Sequence, residues 1–310
     1  MRVVFLGTPE FAVPSLAALA KHHQVVAVYT QPDRPNGRGN HLAESPVKIA
    51  ARILGIDVLQ PERIRRAENL DTLKAWNAEI MVVVGYGQII PQNIIDIPRH
   101  GILNVHASLL PKYRGAAPIQ WAIANGETET GVTIMQIDAG LDTGDMLLEA
   151  SLPIQPSETS PELSARLAPL GADLLLKAIA QIETGTVRPE KQCNEDASLA
   201  PILKKEDGQV DWQRSASEIY NRWRAFNPWP GAYTFFRGQQ LSIAAARLAE
   251  PKPGVPGRVI AEKRHLFVEC GQSSVLELLD VQAAGKKRMT AEAFLNGYQL
   301  VENEMLGEKP

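Results

Sequence analysis

Cysteine is scarce: Cys193 and Cys270 are the only two in 310 residues. With no CxxC spacing and no histidine cluster beside them, neither a disulfide framework nor a thiolate metal site is expected. Long apolar runs are also missing. A stretch such as residues 80–85 falls far short of the roughly 20 residues that cross a bilayer, so no transmembrane span is expected. The opening Met-Arg-Val-Val-Phe-Leu reaches Gly7-Thr8-Pro9-Glu10 before an apolar core of signal-peptide length develops, and a cytoplasmic address is the expectation. One glycine, Gly7, follows the first apolar run, where a dinucleotide fingerprint needs three. Gly37-Arg38-Gly39 begins such a pattern, but Leu42 stands in its last position and no apolar strand directly precedes it, so a nicotinamide or flavin site is not expected. A large excess of one charge is absent as well. The net charge is −3, which excludes a protein that holds nucleic acid by charge alone. Residues 1–190 carry 16 Lys+Arg against 20 Asp+Glu, net −4, and residues 211–310 carry 13 against 11, net +2. That leaves room for a local basic patch toward the C terminus.

What is present is an ordinary globular composition, 45% apolar and 22% charged, on a chain long enough for roughly two domains. Residues 1–190 alternate apolar runs with amphipathic stretches, as a parallel sheet covered by helices requires. Strands are expected over 3–6, 24–30, 56–59, 79–85 and 101–106, and helices over 9–20, 46–54 and 67–77. A hairpin is expected over 131–137 and 145–152, then a long helix over 160–184. No repeat is visible. From 185 to 208 the sequence is polar and turn-rich, which predicts a linker, placed at 190–207 between domains at 1–189 and 208–310. A short helix over 216–224 and brief β-type runs at 233–236, 241–244, 258–260, 266–269 and 275–281 predict a small barrel or sandwich. Trp229, between two prolines, reads as a packing anchor.

Chemistry concentrates between residues 101 and 145. In a strand over 101–106, Asn104 and His106 share one face and Leu103 and Val105 the other. Both polar groups lie at the carboxyl end of an inner strand, where open α/β sheets place their ligand crevice. On its own, Asn-x-His also reads as a satisfied buried polar pair. Downstream, Ser108-Leu-Leu-Pro-Lys-Tyr-Arg-Gly115 makes a constrained loop with two cations, and Asp138-Ala-Gly-Leu-Asp142-Thr-Gly-Asp145 puts carboxylates on a glycine-rich turn. The turn lacks the ligand spacing of a calcium loop, and no metal is expected. Asn104, His106 and one carboxylate make chemical sense together for acyl transfer to an amine. The amide N–H and an imidazole stabilise a developing oxyanion, the carboxylate holds the imidazole, and the substrate's own amine removes the need for a serine or cysteine nucleophile.

Asn104-Val-His106 followed by Ser108-Leu-Leu-Pro111, with Asp142 after the Gly140 turn, resembles the catalytic pattern of the 10-formyltetrahydrofolate-dependent formyltransferases. The resemblance extends through Gln31-Pro-Asp-Arg-Pro-Asn-Gly-Arg-Gly39, Gly115-Ala-Ala-Pro-Ile-Gln120, Ala225-Phe-Asn-Pro-Trp-Pro230 and Ala284-Gly-Lys-Lys287. It singles out the branch whose acceptor is the α-amine of methionine on initiator methionyl-tRNA. It implies an α/β fold, with a doubly wound, mostly parallel, Rossmann-like catalytic domain and a small OB-like β-barrel that helps hold tRNA. It also implies 10-formyltetrahydrofolate as co-substrate and a place in translation initiation. Apart from the resemblance, no metal is expected, and a monomer is the expectation for a state that the sequence leaves open. On this resemblance Asn104, His106 and Asp142 would be catalytic, with His106 held by Asp142 to relay the amine's proton. Ser108, Leu109, Leu110 and Pro111 would line the folate site. Val84, Gly85, Tyr86 and Gly87 would offer main-chain contacts to the pterin ring. The loop over 33–45, led by Arg38, would enter the acceptor stem, and Lys286, Lys287 and Arg288 would meet phosphates. Asn40-His41 stands where the family often has a lysine, which weakens the expected grip of that loop. A relative acting on a sugar nucleotide or purine precursor is the rival, disfavoured by the Gly-Arg-Gly loop and the β-rich C-terminal third. A non-catalytic folate- or tRNA-binding protein would have no use for the catalytic set.

Overall fold

The apolar runs at 3–6 and 80–84 become the buried centre of a parallel sheet, because a strand covered by helices on both faces has no solvent side on which to place polar residues. A computed structural model of the chain describes residues 1–36 and 41–308. They fall into two units: Met1–Pro118, Glu129–Pro153 and Glu162–Pro201 form the first, and Ile119–Thr128, Ile154–Pro161 and Ile202–Pro310 the second.

The chain runs β1 (Arg2–Gly7), α1 (Val13–His22), β2 (Gln24–Tyr29), a small hairpin of β3 (Arg34–Asn36) and β4 (His41–Ala43), then α2 (Pro46–Ile53), β5 (Val58–Leu59), α3 (Ala67–Ala75) and β6 (Ile80–Val84). It continues through α4 (Gln92–Ile95), β7 (Ile102–His106), α5 (Pro118–Ala124), β8 (Glu129–Gln136), β9 (Met146–Pro153) and α6 (Ser160–Glu183). Seven strands make one sheet in the order β5-β2-β1-β6-β7-β8-β9. Neighbours are parallel from β5 to β7, and β8 and β9 run antiparallel. Chain order reverses between β1 and β6, which opens a crevice beyond their carboxyl ends. Helix starts follow local chemistry: the Ser45 side chain accepts a hydrogen bond from the Lys48 amide, with Pro46 in the first turn of α2. Gly171 lets α6 approach the sheet, since a Cβ there would lie 2.8 Å from Val105. The opposite face of β7 therefore carries Asn104 and His106.

The helix expected over 9–20 begins as a 3-10 turn, Glu10–Ala12, before α1 takes over. The expected linker is not free along its length. Glu190 pairs with Met146 and Leu199 with Arg114, so residues up to 201 belong to the first unit. Isolated bridges leave no periodicity in a sequence, which is why this stretch reads as a linker. Arg38 lies outside the described residues.

The second unit contains α7 (Ala216–Ala225), opened by a Ser215–Glu218 capping box. It continues with β10 (Ala232–Phe236), β11 (Gln239–Ala249), β12 (Val259–Glu262), β13 (His265–Cys270), β14 (Ser274–Ala283), β15 (Met289–Thr290) and α8 (Ala291–Gly297). The strands form an antiparallel sheet in the order β10-β11-β14-β13-β12, with β15 on β14. Residues 305 and 306 bridge the two ends of that path, Met305 to Arg258 and Leu306 to Phe236, giving a partly closed barrel around Trp212, Phe236, Leu266, Leu276, Val281 and Phe294. The run expected over 241–244 is the start of the longer β11, which passes through a register shift at Ala245. The earlier segments of this unit are held by specific contacts. Trp121 meets Phe226 edge-on with centroids 5.7 Å apart, and Arg224 donates to the carbonyls of Gln155 and Glu158. Trp229 is 56% exposed, so the packing anchor of Ala225-Phe-Asn-Pro-Trp-Pro230 is Phe226, which is buried.

Candidate active site

β7 lies between β6 and β8, with Asn104 opposite Val83 and Met135, and His106 opposite Thr133. Both expected side chains stand at the carboxyl end of that strand. Asp142 joins them from the turn between β8 and β9. Asn104 Nδ2 donates to Asp142 Oδ1 at 3.2 Å. A carboxylate only accepts, so this contact fixes the orientation of the amide, and its second N–H has no partner among the described residues. The other carboxylate oxygen, Oδ2, accepts from the Gly115 amide at 2.8 Å and lies 3.7 Å from His106 Nδ1.

The imidazole is held differently from the expectation. His106 Nε2 lies 2.9 Å from the main-chain oxygen of Tyr113, an acceptor, so that nitrogen carries hydrogen. Asp142 is too distant for a direct hydrogen bond to the ring. One ring nitrogen, Nδ1, is left for chemistry, and the carboxylate backs it by charge. Tyr113 and Asp142 both have left-handed backbones, φ 63° and 50°, and Gly115 cannot carry a side chain, since its Cβ would meet the Ala200 carbonyl at 2.7 Å at φ +121°.

The loop of Ser108, Leu109, Leu110 and Pro111 is pinned through Thr133, whose hydroxyl donates to the Ser108 carbonyl at 2.8 Å and accepts from the Leu110 amide at 3.1 Å. The Ser108 hydroxyl donates to the Lys112 carbonyl at 2.6 Å, so it is spent within the loop and is not poised as a nucleophile. In the turn after β8, Asp138 accepts from the Gly140 amide and the Thr143 hydroxyl, which makes it a turn-forming residue and leaves Asp142 as the carboxylate of the trio.

At the carboxyl end of β6, Gly85 and Gly87 are exposed with φ 59° and 80°, while Tyr86 is 1% exposed. Burial pushes the Tyr86 phenol up. Its carbonyl accepts from Gln31 and Thr8. Gly85 and Gly87 therefore leave their main chain exposed at the carboxyl end of β6, after the buried Val84 and on either side of the buried Tyr86. Among the described residues, no group of three or more His, Cys, Asp or Glu could hold a metal ion. No helix among them is long and apolar enough to cross a membrane.

The basic cluster in the second unit is smaller than its sequence suggests, because Arg288 is paired with Asp280, Nη2 to Oδ2, at 2.6 Å. Lys286 and Lys287 stand in the loop after β14, where no ion pair engages them among the described residues. Several residues that hold the trio gave no signal in the sequence. Tyr113 and Gly115 act through main-chain atoms, which every residue has. Gln192 reaches both the Asp142 turn and Arg114 of the loop from a distant point of the chain.

The formyl transferase family model matches residues 1–179, and the model for the formyl transferase C-terminal domain matches residues 202–299. A methionyl-tRNA formyltransferase of Solibacter usitatus is 58% identical over 310 residues, covering 99% of each chain. One of Koribacter versatilis is 55% identical over 309 residues, again covering 99% of each. Among solved structures, a sugar 3N-formyl transferase, WlaRD, crystallised in the presence of dTDP and 5-N-formyl-THF, shares the fold. Its TM-score is 0.68 at 21% identity, over 93% of this chain and 99% of that one. Coverage of that extent takes the shared fold into the β-rich C-terminal third, so this third does not by itself separate a tRNA acceptor from a sugar. Sequence identity along the whole length does separate the branches, and the chain belongs to the formyl transferase family, among the methionyl-tRNA formyltransferases.

Proposed function

We propose that this protein transfers the formyl group of 10-formyltetrahydrofolate to the α-amine of methionine on initiator methionyl-tRNA, for translation initiation in the cytoplasm. The observation that carries the reading is the meeting of Asn104, His106 and Asp142 at the carboxyl end of β7 in a chain with full-length identity to enzymes of that name. All three come from one chain, so a monomer, taken here as the working form, suffices to assemble them.

The co-substrate supplies an activated formyl carbon. The acceptor amine forms a C–N bond to that carbon, the bond from it to the folate nitrogen breaks, and one proton passes from amine to folate nitrogen, leaving formylmethionyl-tRNA and tetrahydrofolate. The second N–H of Asn104 donates to the formyl oxygen as it gains negative charge; a donor of this kind contributes about 10²- to 10³-fold. Nδ1 of His106 takes the amine's proton and gives it to the departing nitrogen. Asp142 stabilises the imidazolium between those two moments and keeps Asn104 aimed. Val84, Gly85, Tyr86 and Gly87 receive the pterin through main-chain groups, with Ser108, Leu109, Leu110 and Pro111 as the opposite wall. Residues 208–310 hold tRNA, with Lys286 and Lys287 on phosphates and Arg38 leading its loop into the acceptor stem. Incubation with methionyl-tRNA and labelled 10-formyltetrahydrofolate tests the reading. Labelled formylmethionine is the expected product, and turnover of a sugar amine in its place would overturn it.

A further inference from the structure

We propose that Gln192 is a positioning residue for the reaction, a clasp that locks Asp142 against the loop holding His106. The inference rests on the functional reading above and adds a residue from the stretch expected to be a linker. The half-buried side-chain amide of Gln192 donates twice from Nε2, to the main-chain oxygens of Asp142 at 2.9 Å and Gly144 at 2.8 Å. Its Oε1 accepts from Arg114 Nε at 2.9 Å. Both N–H groups and one acceptor position are thus engaged by three residues that no local pattern brings together.

The clasp matters because of what those residues hold. Arg114 sits in sequence between Tyr113, whose carbonyl holds His106, and Gly115, whose amide holds Asp142. Its guanidinium is buried and also donates to Asn194 Oδ1 at 3.0 Å, and its main chain is paired with Ser198 and Ala200. Asp142 stands on the far turn with a left-handed backbone, a conformation that costs energy and that surrounding contacts must maintain. Gln192 ties that turn to Arg114, while Glu190 exchanges two main-chain hydrogen bonds of 2.8 Å with Met146 at the start of β9. Glutamine is the residue the geometry demands: a glutamate would turn carboxylate oxygens toward two carbonyls, and a lysine would bring a second cation to Arg114.

The test uses the full chain, with Gln192→Glu, Gln192→Met, Asp142→Asn and the double variant Asp142→Asn/Gln192→Glu. A misplacement of this kind costs up to about 100-fold in rate. Both Gln192 variants are expected to lower kcat about 10- to 100-fold with KM for 10-formyltetrahydrofolate within about threefold of wild type. Because Gln192 acts through Asp142, the double variant should be no slower than Asp142→Asn by more than about threefold. Independent, multiplicative losses, or a loss confined to KM, would overturn the proposal. An activity-free readout separates it from the functional reading. Hydrogen-exchange protection of the Gly115 amide, which Asp142 holds, should fall about tenfold or more in both Gln192 variants. Unchanged protection would overturn the clasp whatever the substrate. Lost protection alongside a wild-type protein that fails to formylate methionyl-tRNA would support the clasp and remove the functional reading.

Discussion

Replacing Asp142 by asparagine removes one charge and turns one acceptor into a donor, with almost no change of shape. The left-handed backbone at 142 accepts asparagine as readily as aspartate, so the turn should survive. Two consequences follow from the contacts. Asp142 satisfies two donors with two oxygens, Asn104 Nδ2 and the Gly115 amide. Asparagine has one oxygen, so one donor loses its partner at a cost of about 1–3 kcal/mol. The larger effect falls on the reaction. Opposite charges 3.7 Å apart attract by about 4 kcal/mol at an effective dielectric near 20. The Asp142 side chain is 19% exposed, and solvent screening brings this to about 2–3 kcal/mol. That attraction exists only while His106 carries the amine's proton, so it belongs to the transition state. At about 1.4 kcal/mol per decade, kcat should fall about 100-fold, with little change in KM for either substrate. Steady-state formylation of methionyl-tRNA, with each substrate varied in turn, measures the split. An Asp142→Asn enzyme that keeps more than a tenth of wild-type kcat, or that loses only substrate affinity, would show that the carboxylate is a structural cap of the turn and refute the charge argument.

His106→Ala removes the proton relay, and kcat should drop by about 10²- to 10⁴-fold while folate binding, followed by equilibrium titration, stays near wild type; wild-type turnover would remove His106 from the mechanism. With Arg288 committed to Asp280, Lys286→Ala/Lys287→Ala should reduce the log–log salt slope of tRNA binding by roughly 0.7–0.9 per lost phosphate contact. Arg38→Ala should lower kcat/KM for methionyl-tRNA and spare folate affinity, and a slope or folate affinity that responds the other way would reassign those cations. The hydrogen bond from Arg258 holds the Glu269 carboxyl below the usual range, and Arg237 does the same for Glu304. A carboxyl depressed in the folded state contributes stability above its unfolded pKa, near 4.3, and loses it as pH falls through the folded value. Melting temperatures between about pH 6 and pH 3 should therefore drop less steeply in Glu269→Gln than in wild type, and an identical slope would exclude the pair as a contributor. Truncation after residue 206 removes Phe226 and Arg224 from Trp121, Gln155 and Glu158, so the remaining chain should melt at lower temperature than the full protein; an unchanged melting transition for residues 1–206 would show that those segments do not need their partners.

What the sequence determined by itself is what local periodicity can encode. The buried strands β1 and β6 are continuous apolar runs, and the pairing of Asn104 with His106 on one face of β7 follows from the alternation of a strand. The antiparallel pair β8–β9 and the length of α6 were legible for the same reason. The resemblance supplied Asp142, which composition and spacing left as one carboxylate among several on a glycine-rich turn. Tertiary structure decided the rest, because hydrogen bonds between distant segments leave no period in either of them. Only the fold shows that Tyr113, through its carbonyl, orients His106 and that Gln192 reaches back to the Asp142 turn. Only the fold shows that residues 119–128 and 154–161 belong with the C-terminal barrel, since their anchors are side chains more than 60 positions away. Arg288 reads as a free cation until Asp280, on the neighbouring strand, is seen beside it. Backbone pattern is a local property and the sequence states it outright; which polar group meets which is settled when the chain closes on itself.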